Sequence, residues 1–216
     1  MSEPPLRVAI IPVTPLQQNC CLIWCTKTMR GAFTDPGGDL PKLREAIRQT
    51  GVTIEKILLT HGHIDHAGGA AELRDRLKVG IEGPHTEDGF LLVDLPKKGV
   101  EYGYEARAFT PDRWLKEGDK VTVGALAFDI LECPGHTPGS VVFFNSAHRF
   151  CFMGDVLFQG SVGRTDFPRG SHETLIASIR DKLLPLGDDV AFLPGHGPAS
   201  SIGEERRSNP FLAEIR

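Results

Sequence analysis

Apolar residues along this chain fall into two recurring patterns, strand-sized runs and helical stripes. Leu6 to Val13, Asn19 to Cys25 and Gly31 to Thr34 read as strands, and the turn-forming Asp35-Pro-Gly-Gly38 closes this opening meander. A helix follows, with Asp39 at its cap, Pro41 in its first turn, Leu43, Ala46 and Ile47 on one face and Gly51 just past its end. Ile54 to Thr60 is the next strand. A histidine-rich loop then leads into a helix with Ala70, Leu73 and Leu77 at i, i+3, i+7 spacing. Residues 84–118 mix Gly, Pro, Tyr and Phe without a clear period, so no secondary structure is assigned there, and the stretch is expected to cover an active site as a long loop.

The second half repeats the scheme. Leu126, Phe128 and Ile130 alternate, Val141 to Phe144 and Phe150 to Met153 are apolar runs, a helix is expected near Ser171 to Leu184, and Val190 to Leu193 is a strand. Each helix has one apolar face and each strand is buried on one or both sides. Two sheets facing each other with helices outside satisfy that pattern, and no linker divides residues 1–216 into more than one domain.

Composition narrows the function classes. Hydrophobic residues at 40% and charged residues at 24% belong to a chain that packs a core rather than to a disordered one. The formal net charge is −4 and no basic run is present, so nucleic acid is not an expected partner. The longest apolar runs fall well short of the roughly 20 residues of a membrane span. At the N-terminus an acidic residue and two prolines stand where a secretory signal carries positive charge and an apolar stretch, so a cytoplasmic location is expected. Cys20, Cys21, Cys25, Cys133 and Cys151 lack CxxC spacing and read as reduced core thiols.

The chemistry concentrates in Thr60-His-Gly-His-Ile-Asp-His-Ala-Gly-Gly69, where His61, His63, Asp65 and His66 follow an apolar strand directly. Imidazole and carboxylate are the usual nitrogen and oxygen donors to zinc and similar ions. Two residues apart on an extended loop, His61 and His63 share a side. One such histidine alone would be a solvated loop residue, but the density of this cluster points to a metal. His136, Asp155 and His196 each stand just after an expected strand and beside glycines, in Pro134-Gly-His-Thr-Pro-Gly139, Met153-Gly-Asp155 and Pro194-Gly-His-Gly-Pro198. Glycine lets the backbone turn sharply there, so side chains from distant segments can converge at one rim.

In these residues the chain resembles the metallo-β-lactamase superfamily, whose HxHxDH signature stands here as His61, His63, Asp65 and His66, with later motifs at His136, Asp155 and His196. Gly160-Ser-Val-Gly-Arg-Thr-Asp-Phe167 and Phe109-Thr-Pro-Asp-Arg-Trp-Leu115 are similar to the small glyoxalase II-type branch, the hydroxyacylglutathione hydrolase-like proteins without a C-terminal helical domain. The resemblance implies an α/β fold, an αββα four-layer sandwich of two mixed sheets flanked by helices. It implies two divalent metal ions, zinc in the first place, with iron or manganese as alternatives. His61, His63 and His136 would hold the first, Asp65, His66 and His196 the second, and Asp155 would bridge them. It further implies a metal-bridging hydroxide as nucleophile, oriented by Asp65 in a catalytic role. A thioester such as S-D-lactoylglutathione suits such a site, because a thiolate leaves without a strong general acid.

Several further residues carry two readings. Asp35 either orients a ligand imidazole or serves its turn alone. Arg164 either binds a substrate carboxylate or pairs with Asp166, the second being favoured. Cys133 belongs to the core rather than the site. His85, His148 and His172 face solvent or cap local turns, and Tyr102, Tyr104 and Phe109 either line the cleft or simply pack. The competing functions are a persulfide dioxygenase with one iron and a hydrolase of another ester or lactone, including a β-lactam. His196 discriminates, because only a dinuclear hydrolase uses it as a second-metal ligand. The expected partner is a small-molecule thioester, bound by a monomer or small homo-oligomer.

Overall fold

The computed structural model describes residues 5–215, and two sheets organise them. The first contains β1 (Leu6–Val13), β2 (Gln18–Cys25), β3 (Arg30–Thr34), β4 (Thr53–Leu58) and β5 (Gly80–Glu82), in that spatial order. β1, β2 and β3 pair antiparallel, and β3, β4 and β5 pair parallel, so the sheet is mixed. The second contains β6 (Lys120–Val123), β7 (Leu126–Glu132), β8 (Val141–Asn145) and β9 (Phe150–Gly154), then β12 (Ala191–Pro194) and β13 (Ser200–Ser201) beyond β9. Between β9 and β12 the chain forms a separate hairpin of β10 (Leu157–Phe158) and β11 (Ser161–Val162). β12 runs parallel to β9 while the other pairs are antiparallel, so this sheet is mixed too.

Period-2 alternation assigns each strand side chain to a layer. In β2, Cys21, Ile23 and Cys25 enter the core between the sheets with Leu58, Phe128, Phe143 and Phe152, while Cys20 and Leu22 face helices. In β8, Val141 and Phe143 point into the same central core, and Val142 and Phe144 point away from it. The outer face of the first sheet is covered by α1 (Leu40–Thr50), the short α2 (Ile64–Ala67), α3 (Ala70–Leu77) and α4 (Gly89–Tyr102), through Leu43, Ile64, Leu73, Leu92 and Leu95. The outer face of the second is covered by α5 (His172–Ser178) and α6 (Ile202–Ser208), through Leu175 and Ile202. The result is the expected order helix, sheet, sheet, helix, with the central strands β2, β8 and β9 buried on both faces.

Three details correct the sequence reading. Residues 84–118 are not a plain loop, since they contain the fourteen-residue helix α4. Its buried positions Leu92, Leu95 and Gly99 have helical spacing, but exposed Val93 and Val100 blur the stripe and Pro96 lies inside it. Asp39 stands at the α1 N-cap position without accepting a cap hydrogen bond from that helix. Its carboxylate turns instead to the Thr14 amide at 3.0 Å and the Lys42 ammonium at 2.9 Å. The helix expected to reach Leu184 is α-helical only to Ser178 and continues as a π-type turn over Ile179–Leu183. No helix among the described residues is long and apolar enough to cross a membrane.

Candidate metal centre

All seven expected ligand residues come together at the carboxyl ends of β4, β7, β9 and β12. Thr60 and His61 follow β4, and His63 precedes α2, which carries Asp65 and His66 on one short turn. His136 lies between β7 and β8, Asp155 follows β9, and His196 follows β12. Nδ1 of His63 lies 3.1 Å from Nε2 of His61 and 2.9 Å from Nε2 of His136. Nε2 of His196 lies 3.0 Å from Oδ2 of Asp65. The Asp155 carboxylate stands between the two groups, with Oδ1 3.3 Å from His66 Nε2 and Oδ2 3.6 Å from His136 Nε2 and 3.7 Å from His196 Nε2.

Hydrogen bonds behind the rings fix which nitrogen faces inward. A carboxylate only accepts, so His66, 3.0 Å from Asp35 Oδ2 through Nδ1, donates there and turns Nε2 toward Asp155. Thr60 donates its hydroxyl to the same Asp35 oxygen at 2.7 Å, which leaves its own oxygen to accept from Nδ1 of His61 at 3.1 Å. His136 donates through Nδ1 to the Arg164 carbonyl at 2.7 Å. Three imidazoles are thereby held by Nδ1 with Nε2 turned toward one small space.

That arrangement fits a divalent cation. Imidazole nitrogens and carboxylate oxygens, the usual donors to divalent cations, crowd one small space, and buried His66 Nε2 and Asp155 Oδ1 have no hydrogen-bond partner. Three sets of donor atoms each lie within mutual reach of one ion: His61, His63 and His136; His61, His66 and Asp155; and Asp65, His66 and His196. Electrostatics divide the rings in the same way. Burial, reinforced by neighbouring imidazoles, drives His61 well below the ordinary histidine range and His63 down to about 3, so both are neutral donors. Burial also opposes charge on His66, but the carboxylates of Asp155, Asp65 and Asp35 outweigh it and hold this ring well above the usual value.

Sequence reasoning missed four contributors. Thr60 relays Asp35 to His61, as above. Asn19, at the start of β2, donates its side-chain amide to the carbonyls of Pro194 at 3.1 Å and Gly197 at 2.8 Å, clamping the His196 loop from the opposite sheet. Phe167 packs its ring 4.6 Å from His63 and 5.6 Å from His136. Asp88 is fully buried and bonds to the loops on either side of the first histidine group. Only Phe167 had a signal, its place in the Gly-Arg-Thr-Asp-Phe segment.

The two-sided candidates resolve. Asp35 does more than serve its turn, since it holds the His66 ring through one oxygen while its second oxygen accepts the Thr60 amide at 2.8 Å. Arg164 pairs with Asp166 at 2.7 Å and lies over the Phe167 ring, while its backbone carbonyl holds His136. Cys133 is fully buried in the second outer core, where burial pushes its thiol up. His85 caps a local turn by accepting from the Glu87 amide, and His148 bonds to Asn145. Tyr102 lines the cleft, whereas Tyr104 and Phe109 pack against the first outer core.

The cleft above the ligands has a volume of about 1020 Å³. Phe90, Leu91 and Leu95 of α4 form one wall, and Phe158, Val162 and Phe167 form the other. Lys97, Lys98 and Arg164 reach into it against one carboxylate outside the metal cluster, Asp94.

Comparison with known proteins agrees with this architecture. Residues 13–196 match the metallo-beta-lactamase superfamily. The chain is 47% identical over 209 residues to hydroxyacylglutathione hydrolase GloC of Haemophilus influenzae, spanning 96% of this chain and 98% of that protein. The BLEG-1 B3 metallo-beta-lactamase has a similar structure, with a TM-score of 0.88 at 36% identity over 96% of this chain and 100% of that one. TTHA1623 in a di-iron-bound form gives 0.85 at 35% identity over 95% and 100%. The chain therefore belongs to the metallo-β-lactamase superfamily, in the hydroxyacylglutathione hydrolase-like branch of its metal-dependent hydrolases.

Proposed function

We propose that this protein hydrolyses thioesters in the glyoxalase II manner, on substrates such as S-D-lactoylglutathione, with two divalent metal ions, zinc or iron. The observation that carries this reading is the pair of donor triads with Asp155 between them. His61, His63 and His136 would hold one cation and Asp65, His66 and His196 the other, and the two Asp155 oxygens reach toward both triads. Cations bound there supply Lewis acidity toward the carbonyl oxygen and toward a nucleophilic water.

The protein's own groups do the rest. Asp65, its carboxyl held below the usual range by His66 and His196 against the opposing effect of burial, is an ionised acceptor that orients the attacking water. Phe167 and the α4 wall seat the substrate and keep bulk solvent from the ligand rings. The thiolate leaves without a proton donor, so the cleft needs no general acid. Its cations complement the carboxylates of a thiol such as glutathione: Lys98 is paired with Glu101 and Arg164 with Asp166, while Lys97 has no ion pair among the described residues.

A mononuclear persulfide dioxygenase is disfavoured by the 3.0 Å approach of His196 to Asp65, which completes a second triad. The experiment is hydrolysis of S-D-lactoylglutathione by metal-loaded protein beside a His63→Ala control, with metal content measured on both. Turnover lost in the variant and two metals per wild-type chain support the reading. Two bound metals without turnover would keep the hydrolase and discard this substrate, and one metal per chain would revive the oxygenase.

A further inference from the structure

Among the buried carboxylates outside the ligand set, Asp88 has an arrangement that the fold alone does not call for. It ends the 3₁₀ turn Thr86–Asp88, directly before α4, and it is completely buried. Standing at the α4 N-cap position, it caps nothing in its own helix. Its Oδ2 accepts the Gly62 amide at 2.8 Å and the Thr137 hydroxyl at 2.8 Å, and its Oδ1 accepts the Gly139 amide at 2.6 Å. Gly62 is the residue between His61 and His63, and Thr137 directly follows His136. All three donors therefore belong to the two segments that present the first triad.

We propose that Asp88 is the positioning residue of the first metal site, a carboxylate bracket that sets the spacing of the His61–His63 loop against the His136 loop before metal arrives. The inference rests on the ligand assignment made above and is independent of the substrate.

The chemistry requires a carboxylate. Each oxygen receives a backbone N–H, so both must be acceptors, and only an ionised acid offers two. Asparagine would turn an NH₂ group toward one of those amides, leaving a buried donor facing a donor. The flanking backbone is shaped to admit it. A Cβ on Gly139 would come within 2.7 Å of the Asp88 Cγ, and one on Gly62 within 2.8 Å of the Leu91 Cβ and 3.2 Å of the Asp88 carbonyl. Burial pushes the carboxyl up to about 6 while the three hydrogen bonds pull it back, so a costly charge is retained where its donors position ligands. Because Asp88 directly precedes α4, the same bracket ties the substrate-facing wall to the first triad.

The test compares zinc dissociation constants, by chelator competition, and apo-protein melting temperatures in a His196→Ala background that leaves the first triad. Asp88→Asn should weaken zinc about 10- to 100-fold, the range for a group that supports metal ligands. Glu205→Gln is the control. Glu205 is a carboxylate of equal burial that accepts from Gly160 at 2.7 Å and Asn209 at 2.9 Å and so ties α6 to the hairpin. It should lower apo stability with zinc affinity within about threefold. Should Asp88→Asn not fold, Thr137→Val removes one donor and keeps the acid, and a several-fold loss of affinity is expected. Unchanged zinc affinity in either variant, with apo stability lowered, would reduce Asp88 to a fold-holding residue and overturn the proposal. If His63→Ala leaves zinc stoichiometry unchanged, the ligand assignment itself fails and the inference falls with it.

Discussion

Asp35 accepts hydrogen bonds from His66 Nδ1 at 3.0 Å and from the Thr60 hydroxyl at 2.7 Å through one and the same oxygen. One buried carboxylate therefore sets the tautomer of a ring in the second triad directly and, by way of Thr60, that of His61 in the first. The two donor triads share a single anchor on the turn after β3, so their side chains are not independently adjustable.

Asp35→Ala frees both rings to rotate. Metal affinity should fall about 10- to 100-fold at both positions, the usual cost of losing a group that orients ligands. Thr60→Val should affect the first site more than the second, since it interrupts only the relay to His61. Chelator competition on each variant measures this, and equal losses at the two sites in Thr60→Val would contradict the relay.

Gly195, directly after β12, passes the cluster of metal-donor side chains without room for a side chain of its own. A Cβ there would meet Asp155 Oδ1 at 2.1 Å and His66 Cε1 at 2.6 Å. Its backbone cannot step away, because its carbonyl accepts from Asn19 at 2.7 Å and its amide donates to Gly154 at 2.9 Å. Gly195→Ala should therefore displace Asp155 from between the triads, lowering bound metal below two per chain and cutting turnover by at least about tenfold. Metal analysis and the rate constant decide it, and full occupancy with normal rate would contradict the close approach.

How much of this was legible in the sequence depended on where the partners lie along the chain. The convergence of the seven side chains was readable because imidazole and carboxylate at strand ends declare their own chemistry. The sandwich was readable because β2, β8 and β9 alternate or run apolar according to which faces they bury. Asp88 was not, since its partners are backbone amides and a hydroxyl 26, 49 and 51 positions away in sequence. Asn19 was hidden in the same way, acting on carbonyls across the sheet boundary. Helix α4 was obscured by its own function, for Phe90 and Leu91 line the cleft, Val93 is exposed at its edge, and Pro96 interrupts the helical pattern.

Metal uptake should release protons. Without metal, His66 is held well above its ordinary value by Asp155, Asp65 and Asp35 despite burial, and His196 is raised by its hydrogen bond to Asp65 and by Asp155 against the same opposing burial. A raised value means each ring holds its proton more tightly than a free imidazole, and a cation must displace any proton that is bound. Apparent affinity should thus weaken as pH falls, by roughly tenfold per pH unit for each proton displaced. Calorimetry in buffers of different ionisation enthalpy counts those protons. Binding heats independent of the buffer would mean that both rings are already neutral.

Lys97 supplies the last prediction, on substrate binding rather than metal. It lines the cleft on α4 one helical turn from Asp94, and it is the cation there without an ion pair among the described residues. An exposed charge pair contributes up to about 1 kcal/mol, and reversal of the charge replaces attraction with repulsion. Lys97→Glu should accordingly raise KM for S-D-lactoylglutathione roughly five- to tenfold with kcat nearly unchanged, since the residue stands on the cleft wall away from the ligand rings. Added salt should narrow the gap, because screening acts on exposed charges first. An uncharged thioester should show no such change, and an equal rise in KM for both substrates would assign the effect to α4 packing instead of charge recognition.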